Sequence, residues 1–222
     1  MQKLFTAFVL ALVTTGARAQ SPRLVDEHIP VTAGVPVKLD IQIADSIQVI
    51  VWDKSEVYVK GSIDVDSNKD NDKYVVTFDK TDARLVMKTR LEFPKDYKKN
   101  GNCCNCNCNN AEAAFTVYVP ANTDVSIETI NANITLNGQI GAVRAHTISG
   151  FVDMAVNPSR KADLKFSTIS GNMYSNLDLN VKDKNLHQVG GNVNTTLNGG
   201  GGKSIDLETI SGDIFLRRAK EG

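Results

Sequence analysis

Apolar and polar residues alternate with a period of two along most of this chain, the pattern of strands that bury one face. "PVKLDIQIADSIQVIVWDKSEVYVKGSIDV" alternates through Ile41, Ile43, Ile47 and Val49, and again through Val57 and Val59. "KYVVTFDKTDARLVMKT" sets two alternating runs around a polar stretch at Lys80 to Ala83, which predicts a hairpin. "AEAAFTVYVPANTD" returns to strand through Phe115, Val117 and Val119, and Pro120 ends it. No helical period follows the first twenty residues.

From Ile127 a longer period is superimposed. "IETINANITL", "AHTISGFVDM", "FSTISGNMYS", "LHQVGGNVNT" and "LETISGDIFL" align on Thr129, Thr147, Thr168, Gln188 and Thr209, in steps of 18, 21, 20 and 21 residues. The position after the anchor is always branched and apolar (Ile130, Ile148, Ile169, Val189, Ile210), and three after it only small residues occur: Ala132, Gly150, Gly171, Gly191, Gly212. A period near 20 means stacked supersecondary units, because two or three short strands cannot bury their own apolar face. The expected fold class is therefore all-β: a single parallel β-solenoid or β-helix-like domain over 20–222, with coils of about 20 residues about 4.8 Å apart. Irregular coils and a hairpin fill 24–120, and the regular repeats fill 121–216. The interior is expected to hold Ile, Val and Leu, with a bend at the anchor. An antiparallel sandwich also has short strands between Gly and Asn turns, but it does not need like residues at like places in every unit. Stacking in chain order would set the outward column Glu128, His146, Ser167, His187, Glu208 so that Glu128 lies beside His146 and Glu208 beside His187.

The first residues suggest a compartment, and the compartment bears on the cysteines. "MQKLFTAFVLALVTTGARAQ" reads as an export signal over 1–19: a basic start, an apolar run too short to span a bilayer, and Ala17-Arg18-Ala19 before the cut. The product is expected in the periplasm, on the cell surface or secreted, with no integral membrane segment after cleavage. All four cysteines, Cys103, Cys104, Cys106 and Cys108, lie in the loop 100–110. An oxidising compartment favours disulfides, Cys103 with Cys106 or Cys108 and Cys104 with the other. A soft-metal thiolate site and a reduced or intermolecular role are the alternatives. Lys plus Arg equals Asp plus Glu at 25 each, so no field draws the chain to nucleic acid. There is no nucleophile elbow, metal-binding His pair or P-loop; "NGGGGKS" lacks the glycine spacing of a phosphate loop and reads as a connection. No cofactor is implied.

The repeated "TISG" with alternating apolar residues behind a signal peptide, together with "IQVIVWDKSEVYVKG", resembles an exported bacterial family described as putative adhesins, or β-strand-repeat domains of unknown function. The likeness covers about Val35 to Leu216. It implies a right-handed solenoid-like fold and residence at the surface or in the periplasm, and it brings no catalytic residues. The function expected is a non-enzymatic binding, adhesion or scaffold module of the cell envelope, with a glycan or an envelope protein as partner. A carbohydrate-active β-helix enzyme and a soft-metal or redox role of the Cys loop are the competing readings. The last coil, followed by "RRAKEG", is expected to form an open sheet edge that Arg217, Arg218 and Lys220 protect.

Overall fold

The structure, a computed structural model, describes residues 21–92, 110–179 and 191–219. In chain order its strands are β1 (Arg23–Pro30), β2 (Val37–Trp52), β3 (Glu56–Val65), β4 (Tyr74–Lys80), β5 (Leu85–Leu91), β6 (Ala111–Pro120), β7 (Val125–Asn137), β8 (Val143–Ser149), β9 (Val152–Val156), β10 (Ala162–Ser170), β11 (Met173–Ser175), β12 (Gly191–Leu197), β13 (Ile205–Ser211) and β14 (Ile214–Arg218). The only helical element among the described residues is a 3₁₀ turn at Asn71–Lys73.

The all-β expectation holds, but the strands form one open mixed sheet instead of a uniformly parallel coil. Two long strands, β2 and β7, bend midway and belong to two wings. The first wing runs β4-β5-β2-β7-β8-β13-β10-β12, using residues 37–41 of β2 and 125–129 of β7. The second runs β1-β3-β6-β2-β7-β9-β14-β11, using their later halves. Both wings are parallel at their centres; the first is antiparallel at both rims and the second only at its β1-β3-β6 rim, β11 being parallel to β14, and the inward side chains of both form one hydrophobic core. The polar run at Lys80 to Ala83 turns the antiparallel pair β4/β5, closed by a Thr81 N–H donating to the Arg84 carbonyl.

The repeats stack in register, though not in chain order. Thr129 pairs with Thr147, Thr147 with Thr209, and Thr209 with Thr168, so β13 is inserted between β8 and β10. Connection length explains the insertion. From Ile134 to Val143 the chain has nine residues to reach the next strand, and from Val152 to Leu164 it has twelve. Three extra extended residues add roughly 10 Å of reach, enough to step over one strand spacing of about 4.8 Å. The unit around Gln188 departs further: its anchor and His187 lie outside the described residues, and β12 pairs antiparallel to β10. The last strands are interior, β13 between β8 and β10 and β14 between β9 and β11, which corrects the expected carboxyl-terminal edge.

A second correction concerns which residues face in. The four threonine anchors are buried, Thr147 completely, and Ile130, Ile148, Ile210 and Ile169 are 50%, 42%, 37% and 70% exposed. The bend follows the isoleucine, which with its successor faces solvent (Thr in, Ile and Ser out). The buried hydroxyl has a specific task. Thr147 Oγ1 shares its proton between the Ser149 carbonyl (2.9 Å) and the Ala132 carbonyl (3.3 Å), Thr209 Oγ1 donates to Gly150 (3.0 Å) and Thr168 Oγ1 to Gly212 (3.2 Å). Each anchor thus satisfies the corner carbonyl of the strand beside it. The small-residue column follows from the same closeness. A Cβ on Gly150 would sit 2.3 Å from the Ala132 oxygen, one on Gly212 2.1 Å from that of Gly150, and one on Gly171 1.9 Å from that of Gly212. Thr147→Val keeps the shape, removes the donor and leaves a buried carbonyl short of a partner; it is expected to cost about 1–3 kcal/mol by denaturant unfolding.

Candidate functional site

Two outward surfaces carry chemistry, one on each wing. On the first wing, alternate residues of five neighbouring strands form rows. One row reads Lys38, Ser126, Arg144, Asp206, Lys165 from β2 to β10; the next reads Asp40, Glu128, His146, Glu208, Ser167; the third is Gln42 followed by the four exposed isoleucines. Charges in the first two rows are cross-paired: Lys38 Nζ lies 2.8 Å from Glu128 Oε2, Lys165 Nζ 3.5 Å from Asp206 Oδ2, and His146 Nδ1 3.7 Å from Glu208 Oε2. Lys38 holds the Glu128 carboxyl below the usual carboxylate range, and Arg144 and His146 add to the effect. Glu208 therefore meets His146, which Glu128 also flanks as expected, whereas the expected partner His187 lies outside the described residues. At the starts of these strands a groove of about 450 Å³ has Lys38, Arg84, Asp124, Arg144 and Asp206 on its walls. Asp124 bridges it, accepting from the Ala142 N–H (2.7 Å) and from Lys203 (3.0 Å).

The second surface escaped the sequence reading. On the outer face of β1, β3, β6 and β2, four ring systems lie in one patch. His28 stacks on Tyr58 at 3.9 Å between centroids, Tyr58 lies 5.6 Å from Tyr118 and 5.7 Å from Trp52, and Trp52 lies 5.2 Å from Tyr118. The alternation that buries Val57, Val59, Val117 and Val119 turns Tyr58 and Tyr118 outward, and strand pairing sets the two directly opposite. Trp52 is the chain's single tryptophan, and its Nε1 donates to the Glu56 carbonyl at 2.8 Å, which fixes the indole. Lys54 Nζ sits 4.8 Å from the Trp52 ring centre and Lys60 Nζ 5.1 Å from that of Tyr58. Asp26 accepts from the Tyr58 hydroxyl (3.3 Å), and Glu56 contacts His28 Nδ1 at 3.1 Å. Cross-strand aromatic pairs stabilise a sheet by roughly 0.2–1 kcal/mol each, so part of this patch is architecture. Its signal in the sequence is an aromatic at an outward place in "VIVWDKSEVYVK" and "FTVYVP".

The remaining sequence candidates fall as follows. Gly150, Gly171 and Gly212 form the corner column with Ala132, and Gly191 opens β12. The disulfide and metal candidates Cys103, Cys104, Cys106 and Cys108 lie outside the described residues, as does the leader. Among the described residues no group of three or more His, Cys, Asp or Glu is placed to hold a metal ion. No helix among them is long and apolar enough to cross a membrane. "NGGGGKS" links β12 to β13 through left-handed Asn198, Gly199, Gly200 and Gly201.

No family model matches the chain, and no curated protein matches it. Among solved structures it is similar to a "putative adhesin" from Bacteroides fragilis, at 11% identity over 89% of this chain and 98% of that one, with a TM-score of 0.22. It is also similar to a "putative cell adhesion protein" from Clostridium sporogenes, at 10% identity over 89% of this chain and 99% of that one, with a TM-score of 0.56. At that identity the Clostridium likeness is one of fold alone.

Proposed function

We propose that the chain is a non-enzymatic, exported binding and adhesion module of the bacterial envelope, which holds a glycan on the aromatic patch of its outer sheet. The observation that carries this reading is the set of four ring systems, Trp52, Tyr58, Tyr118 and His28, on one outward face with two ammonium groups and two carboxylates at its border. Aromatic side chains offer large apolar area at little entropic cost while keeping a polar rim wet. A pyranose ring needs that combination: apolar C–H faces to lay on rings, and hydroxyls to exchange hydrogen bonds with Lys54, Lys60, Asp26 and Glu56. The indole is already fixed by its bond to Glu56, so little ordering is lost on binding. The stacked units, in the right-handed sense that parallel crossovers take, act as a rigid spacer behind the patch.

Trp52 makes the proposal directly measurable. A glycan array followed by fluorescence titration with the bound glycan is expected to shift or quench the single tryptophan's emission, and Tyr58→Ala is expected to weaken binding about tenfold or more. A glycan that binds without moving the Trp52 emission, or equally well to Tyr58→Ala, would move the site elsewhere.

A further inference from the structure

We infer that the outer face of the first wing is a self-complementary surface on which a second copy of this chain docks. The starting point is the isoleucine row. Ile130, Ile148, Ile210 and Ile169 lie on four adjacent strands, and they account for four of the six exposed large hydrophobic residues among the described residues. Burial does not explain them, since the threonine beside each takes the inward place. Yet every unit keeps a branched aliphatic residue there, where solvent alone would accept anything polar.

The charged rows beside the isoleucines identify the occupant. A two-fold axis parallel to the strands, passing between β8 and β13, lays β8 on the second copy's β13 and β7 on its β10. Ile148 then meets the second copy's Ile210, and Ile130 its Ile169. In the next row His146 meets Glu208 and Glu128 meets Ser167. In the outermost row Arg144 meets Asp206 and Ser126 meets Lys165. Extending the match one strand each way sets Lys38 against Asn194 and Asp40 against Asn192. No like charges oppose. This is the isologous contact that two-fold symmetry demands. Sixteen side chains per copy make the contact, fewer than the roughly 20–30 of a standard interface, so the dimer is weak and reversible.

The test is sedimentation of the chain, expressed with its own leader and recovered from the exported fraction, over a range of concentrations at low salt. The expected result is a monomer–dimer equilibrium with a midpoint on the order of 100 μM, as suits a contact below standard size. Ile148→Lys is expected to weaken it about tenfold or more while leaving thermal unfolding unchanged, because the side chain is exposed. Arg144→Asp is expected to weaken association, and Arg144→Asp with Asp206→Arg to restore it. A chain that stays monomeric at millimolar concentration overturns the inference. So does a dimer indifferent to Ile148→Lys, or isoleucine-dependent binding to phosphatidylcholine vesicles by a chain that remains monomeric.

Discussion

Replacing Gly150 with alanine is expected to lower the unfolding free energy by about 3–5 kcal/mol, which places it among the rare severe substitutions. For a chain of this size that corresponds to a fall in Tm of roughly 10 °C. Two costs combine. Gly150 has φ +124°, a region that side chains rarely adopt, and the new Cβ would lie 2.3 Å from the Ala132 carbonyl oxygen. Backbone lies on both sides of the collision, since Gly212 approaches Gly150 as closely from the next strand. Neither can retreat without breaking the Thr147 and Thr209 hydroxyl bonds that hold the corner. Gly199→Ala separates the two costs. It also has positive φ, +80°, but nothing lies within 4 Å of its Cβ position, so only the conformational cost of about 1–2 kcal/mol is expected. Equal losses at the two sites would show that the corner is not tightly stacked.

Phe115→Ala is expected to cost about 3–5 kcal/mol, the range for emptying a buried aromatic site. Phe115 is fully buried on β6, 6.2 Å from the Tyr74 ring, and directly opposite Gly61 on β3. Its ring covers the bare glycine backbone so closely that a Cβ on Gly61 would lie 2.7 Å from it. The two positions therefore behave as one unit, with non-additive effects. Gly61→Ala alone is expected to destabilise the protein, and the same change in a Phe115→Ala background to cost less or to recover stability. Tyr74 packs beside them with its hydroxyl bonded to the Ile43 carbonyl, and burial pushes its pKa up to about 12. Because β3 carries Tyr58 and β6 carries Tyr118, loosening this core should also blur the aromatic patch. Chemical denaturation read by Trp52 fluorescence reports both.

How much was legible in the sequence depended on whether a residue's partner is fixed by local pattern or by topology. Alternation located the strands and the β4/β5 hairpin because the period of two is set by the chain's own geometry. The small column at Ala132, Gly150, Gly171 and Gly212 was visible because only a close backbone approach excludes every larger residue. Hydropathy misplaced the isoleucines. A buried threonine is stable here because each hydroxyl finds a neighbouring strand's corner carbonyl, a partner that no residue scale contains. Stacking order was hidden for a similar reason: the 18- and 21-residue steps do record it, but only once one knows that three extra residues give the chain reach to step over one strand. The aromatic patch unites Tyr58 with Tyr118, sixty residues apart, so it exists only after β3 has paired with β6.

Methyl NOEs among the buried threonines decide the order of the units, and they are immune to any contact between copies. Cross-peaks linking Thr147 to Thr209 and Thr209 to Thr168, with none between Thr147 and Thr168, are the expected pattern for β13 lying between β8 and β10. A direct Thr147 to Thr168 contact would contradict it, because the units would then follow one another as the chain does.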